Sequence, residues 1–203
     1  MTPLDNYVGV RMNRSISAAI GVALLTSIAM ATTAEARGRH VVEVRMEDRC
    51  DPKTFNAPAP GGLGAGACVP LKRRGGTVTF QELVATLNPV DFGHEKWRNS
   101  REDFTIEKGD AIRVKNTGGE VHSFTLVDEF GGGCVAEINE PLGLTPAPGL
   151  DCGSPATGPG DVDEIQAPGQ VRTIPPPDLA VGEHKFICII HPWMRSVVEV
   201  ERD

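Results

Sequence analysis

The sequence predicts an all-β fold, a sandwich or barrel, with a loop of unusual side chains near its C-terminus. Three observations carry this. Residues 104–203 consist largely of short alternating runs separated by Gly/Pro turn signals. The stretch CIIHPWM, residues 188–194, sets a thiol, an imidazole and a thioether two residues apart from one another. The chain has five cysteines, an odd number, so one is left over from any full set of disulfides.

Residues 1–36 are expected to be a secretory signal. Arg14 gives a short positive start, residues 16–30 are apolar, and Ala34-Glu35-Ala36 has the small-x-small form of a cleavage site. The apolar run is too short and too rich in Ala and Ser to span a membrane comfortably, so no span is expected in the mature protein. The first eleven residues suit a signal poorly, and Met12 is an alternative start. Cleavage after Ala36 would remove Asp5, Arg11, Arg14 and Glu35, two charges of each sign, and leave the net charge at −7. An acidic chain of this kind has no electrostatic footprint for nucleic acid. Export places the protein where disulfides persist, in the periplasm or outside the cell.

Residues 37–92 read as an N-terminal extension too loop-rich for a large core of its own. VVEVRM, residues 41–46, alternates like a short strand. A Pro/Gly loop bounded by Cys50 and Cys68 follows. TFQELVATLNP then predicts a short helix, capped by Thr79 with Glu82 as capping-box partner, with Phe80, Leu83, Val84 and Leu87 on one face. Asn88-Pro89 stops it.

Residues 93–203 read as the main domain, with an insertion at about 128–164. FTIEKGDAIRVKN gives two alternating runs around Lys108-Gly109-Asp110. NTGGEVHSFTLVD is a Gly turn and then a strand with His122, Phe124 and Leu126 on one face. The insertion is Gly/Pro-rich and holds Cys134 and Cys152. VRTIPPP reads as a short edge segment, because proline cannot donate to a sheet ladder. EHKFICII places His184, Phe186 and Cys188 on one face of a strand, and SVVEVE is the closing strand.

Cys188, His191 and Met194 form a soft donor set. Structural zinc takes four N/S ligands, often in close pairs, and the chain has no second C-x-x-C or H-x-H pair. Thiolate with thioether favours copper, and His₂Cys with a weak axial Met is the pattern of a blue-copper site. That pattern needs a second histidine. His184 is four residues from Cys188 along one strand, ~13 Å away at about 3.3 Å per residue. His40 sits at the mature N-terminus, and His94 has polar surroundings. His122 opens an apolar strand at a sheet end and is the preferred partner. Taken singly, each of these residues has an ordinary role in a core. Together they match one site in type, order and spacing.

GEVHSFTLVD and HKFICIIHPWMRSVVEV resemble the copper motifs of the cupredoxins, the small blue copper proteins. The short C-x-x-H-x-x-M spacing, with Pro192 after the histidine, looks most like the amicyanin group of that family. The resemblance covers about residues 94–203, interrupted by the insertion. It implies a Greek-key β-sandwich, one type 1 copper per chain and the ligands His122, Cys188, His191 and Met194. It gives Ser123 the position where the family often carries an Asn that bonds the cysteine loop, and serine has less reach. His184 falls near a core position and is read as structural.

The remaining cysteines allow three pairings. Cys50–Cys68 and Cys134–Cys152 are expected, since each pair brackets a Gly/Pro-rich loop in need of a clamp. The expected function is that of an exported single-electron carrier serving redox partner proteins, and not an enzyme. A delivery or storage module is the alternative. A domain of a copper enzyme is a weaker one, since that would need a second copper centre and Cys188 is flanked by Ile187 and Ile189 rather than histidines. Pro192 and Trp193 are expected to form a partly exposed apolar rim around an outward-facing His191 edge, where a partner would dock.

Overall fold

The computed structural model describes residues 40–71, 75–150, 152, 166–175 and 179–202. The signal segment, with its alternative start, and residues 153–164 of the insertion lie outside the described residues. The described residues form one compact unit.

Two four-stranded sheets make a β-sandwich. In the first, β1 (Val41–Glu47) lies between β2 (Arg98–Asn99) and β4 (Ala111–Asn116), and β6 (Val171–Ile174) forms the far edge. In the second, β3 (Asp103–Glu107), β8 (Arg195–Glu201), β7 (Gly182–Ile187) and β5 (Thr125–Val127) follow in that order. Alternation decides which side chains enter the core. Val42, Val44 and Met46 of β1 meet Ile112 and Val114 of β4, in register from Val42↔Ile112 to Met46↔Asn116. Phe186 of β7 and Val198 and Val200 of β8 face them from the second sheet, and Phe186 stacks on Phe124 with ring centres 4.4 Å apart. Burying each such side chain contributes roughly 1.5–3 kcal/mol.

The two runs around Lys108-Gly109-Asp110 do not pair with each other. β3 pairs in parallel with β8, and β4 in parallel with β1. The turn therefore carries the chain from one sheet to the other. Gly109 supports it at φ +110°, a conformation side chains disfavour.

The segment expected to be an extension is built into the sandwich. β1 is an inner strand, and Phe55, Val78 and Leu83 join the same core cluster as Phe186 and Val198. Two short helices carry Phe55 and Leu83. α1 (Pro52–Phe55) is capped by Asp51, and α2 (Phe80–Ala85) has the expected capping box between Thr79 and Glu82. α2 spans only six residues, so Leu83 points inward while Val84, about 100° further round, stays exposed.

The described part of the insertion packs on the outer face of the second sheet at β5 and β7. Phe130, Ala147 and Leu150 pack on Val127 and Ile187, which point away from the main core. Its helix α3 (Ala136–Leu142) is tied in by Asn139, whose side chain bonds both the N–H and the carbonyl of Gly133. Both expected disulfides form, Cys50–Cys68 and Cys134–Cys152, and Cys188 is the free cysteine.

Candidate metal centre

Cys188 follows directly on β7, and residues 188–194 turn back into β8. The turn is closed by two backbone bonds, Cys188 N–H to the Met194 carbonyl at 3.1 Å and Met194 N–H to the His191 carbonyl at 2.9 Å. A second segment reaches the same point. Asn116, at the end of β4, accepts from Gly118 N–H and donates to the carbonyls of Glu120 and Gln166. His122 is then fixed by a two-bond bridge to Gln166.

These two segments bring three donors together. Cys188 Sγ lies 3.9 Å from His122 Nδ1 and 3.8 Å from His191 Nδ1, and the three atoms lie within 4.8 Å of one another. All three residues are buried. Such separations suit donors that share one ion through bonds of about 2.0–2.3 Å. Met194 is fully buried on the same loop.

Ser123 reaches further than its size suggests. Its Oγ accepts from Ile189 N–H at 2.9 Å and from the Thr125 hydroxyl at 3.0 Å, and its own N–H approaches Cys188 Sγ at 3.4 Å. The insertion grips the other side of Ile189, since Cys134 N–H donates to its carbonyl. The cysteine loop is thus held from both sides.

Two buried carboxylates stand behind the imidazoles, and sequence reasoning missed both. Asp48 Oδ2 lies 2.8 Å from His122 Nε2, with both side chains fully buried. Asp48 also accepts the N–H groups of Cys50, Gly119 and Glu120. Glu120 Oε2 accepts from Trp97 Nε1 at 2.6 Å and lies 3.7 Å from His191 Nε2. A signal for Asp48 was present: it continues the inward parity of Val42, Val44 and Met46 and so had to be buried with a partner.

The electrostatics follow from this packing. Burial would raise the Asp48 carboxyl, but the hydrogen bond and charge of His122, with the N–H groups of Glu120 and Gly119, bring it down to about 2. Burial opposes charge on His122, yet Asp48 and Cys188 together push it up to about 10. Burial likewise disfavours the Cys188 thiolate, and the two histidines outweigh it and hold the thiol well below its ordinary range. Glu120 is raised by burial, against the pull of His191 and Trp97. The centre therefore favours the thiolate form that soft metals bind.

The expected outward edge of His191 is not exposed. His191 is 2% accessible, because Trp193 meets its ring edge-on at 5.3 Å, Trp97 lies at 6.4 Å and Glu120 faces its Nε2. Pro192 is buried as well. Trp193 is half-buried with its ring laid on Gly93, where any Cβ would collide with the indole. The cause is Trp97, which stacks on Phe55 at 5.8 Å and brings residues 92–97 over the site. The other histidines lie elsewhere. His184 bonds the Ala180 carbonyl through Nε2, His94 packs edge-on against Trp97, and the backbone N–H of His40 bonds Asp110.

No family model matches the chain, and no curated protein matches it. Among solved structures, a purple cupredoxin from Nitrosopumilus maritimus is similar at 16% identity and a TM-score of 0.36, covering 57% of this chain and 95% of that one. Amicyanin from Paracoccus versutus is similar at 20% identity and a TM-score of 0.32, covering 53% of this chain and 76% of the other. A methionine-to-alanine mutant of amicyanin in its Cu(I) form is similar at 15% identity and a TM-score of 0.32, covering 51% and 73% respectively.

Proposed function

We propose that this chain is an exported blue-copper electron carrier. Copper would be held by His122 Nδ1, Cys188 Sγ and His191 Nδ1, with Met194 as a weaker fourth donor. The observation that carries the reading is the convergence of two imidazole Nδ1 atoms on one buried free cysteine. Bound copper would supply a single-electron couple between Cu(II) and Cu(I). The residues do the rest. Cys188 contributes a thiolate, the two histidines contribute neutral nitrogens, and the bonds from Ser123 and Cys134 to Ile189 fix the loop. Burial keeps water away from the donors. The two disulfides suit a periplasmic or extracellular setting. Among the described residues no helix is long and apolar enough to cross a membrane.

Cyclic reduction and oxidation of copper-loaded protein tests the carrier role. A carrier returns to its starting spectrum with copper retained through repeated single-electron cycles. A delivery or storage protein hands Cu(I) to a chelator upon reduction and stays colourless.

Met194 tunes the couple in this reading. Met194→Leu should keep copper and raise the potential, and Met194→Gln should lower it, because an oxygen donor favours Cu(II). Each shift should be on the order of 59 mV, a tenfold change in the one-electron equilibrium. Voltammetry reads both, and equal potentials in all three proteins would remove Met194 from the site.

The exit for the electron runs through Trp193, which touches the His191 ring and is the part of that contact that reaches the surface. A redox partner protein would dock there through a small interface. Trp193→Ala should slow electron exchange with the partner about tenfold, a barrier increase of ~1.4 kcal/mol, while the copper spectrum barely moves. Stopped-flow kinetics check this. Unchanged exchange per folded molecule would place the docking face elsewhere.

A further inference from the structure

Asp48 is reached by more of the fold than a simple hydrogen-bond partner would need. It directly follows β1, whose Met46 carbonyl accepts both the N–H and the hydroxyl of Thr117. Those bonds bring the Gly118–Gly119 turn against the carboxylate. Any Cβ at Gly118 would collide with Asp48 Oδ2, so only glycine lets the turn approach this closely. Three N–H donors converge on Asp48, from Cys50, Gly119 and Glu120. Two of these residues touch the Cys50–Cys68 bridge. Cys50 is half of it, and a Cβ on Gly119 would lie 2.6 Å from Cys50 Sγ. Cys68 is anchored by Asn56, whose side chain bonds both its N–H and its carbonyl, and the neighbouring Val69 N–H donates to the Gly119 carbonyl. The bridge thus ties together the two segments that present donors to Asp48.

We propose that Asp48 is a positioning residue for the metal centre, holding His122 with Nε2–H on its carboxylate and Nδ1 facing Cys188, and that the Cys50–Cys68 bridge keeps Asp48 in place. The inference rests on the reading of residues 122, 188 and 191 as ligands. A metal-binding histidine commonly donates its second N–H to a carboxylate or carbonyl, which fixes the ring and raises its basicity. Here the carboxylate is fully buried and already committed to three backbone donors, so the ring is oriented before any ion arrives. A fixed negative charge across the ring from a ligand nitrogen also favours the more highly charged ion, Cu(II) over Cu(I).

Three measurements on the mature chain test the proposal. Long-range ¹H–¹⁵N NMR of the metal-free and Zn(II)-loaded wild type should show His122 Nε2 carrying a hydrogen-bonded proton in both. An unprotonated Nε2 in either sample overturns the proposal without any variant. Asp48→Asn should lower Zn(II) affinity about 10–100-fold and raise the copper potential by about 59 mV, a tenfold change in the one-electron equilibrium. A folded Asp48→Asn protein with both values unchanged also overturns it. The double change Cys50→Ser with Cys68→Ser should move both values in the same direction by less, and wild-type values there would overturn the role of the bridge. If Asp48→Asn does not fold, the wild-type spectra and the double variant still decide. Failure of the copper reading looks different: His122 Nε2 would keep its proton on Asp48, but copper would bind without blue colour.

Discussion

Cys188→Ser should abolish the intense visible absorption of the copper-loaded protein and leave a folded chain. The colour of a blue-copper site comes from the thiolate–Cu(II) bond, and a hydroxyl cannot replace it. The fold should survive because serine is nearly isosteric and its hydroxyl sits among polar neighbours, His122 Nδ1, His191 Nδ1 and Ser123 N–H. Cys188 takes part in neither disulfide, so both bridges remain. Copper should still bind, more weakly, through the two imidazoles. Absorption spectroscopy and circular dichroism check the two halves of this result. A Ser variant that stays intensely blue would place the thiolate elsewhere.

Trp97→Ala should be the most destabilising single change near the site. The ring is almost fully buried, stacks on Phe55 and donates to Glu120. Truncating a buried tryptophan costs about 3–5 kcal/mol. Trp97→Phe keeps much of the apolar contact but leaves Glu120 without its N–H donor, at a cost of roughly 1–3 kcal/mol. Chemical denaturation should therefore rank wild type above Phe and Phe above Ala. The same changes uncover the Nε2 side of His191, so solvent should reach that ring in the Ala variant. Equal stability of all three proteins would mean that residues 92–97 are not held over the site by this indole.

The contrast between Met46 and Asp48 shows how far the sequence could be read. The alternation of β1 was plain, and it carries Val42, Val44 and Met46 into the core as expected. The helix start at Thr79 was equally plain, because a capping box is a local device, written within four residues. The grouping of His122 with Cys188 and His191 could be inferred because donor type and spacing restrict the metals they suit. The pairing of β1 with β4, and of β3 with β8, could not be read, since parallel partners are set by contacts far apart in sequence. That pairing is what brings Asp48 to Gly119 and so to His122. The same gap explains His191 and Pro192. A ligand loop read alone predicts an outward His191 edge, but Trp97 arrives from a segment next to the supposed extension and covers it, while Trp193 stays partly exposed.

The most direct test of the central claim is the optical and EPR spectrum of the mature protein loaded with one equivalent of Cu(II). Copper held by His122, Cys188 and His191 with Met194 should give intense thiolate-to-copper absorption in the visible and the narrow hyperfine splitting of a type 1 site, both lost on reduction and regained on oxidation. A weakly coloured protein with the wide splitting of copper bound by nitrogen and oxygen alone would contradict the claim.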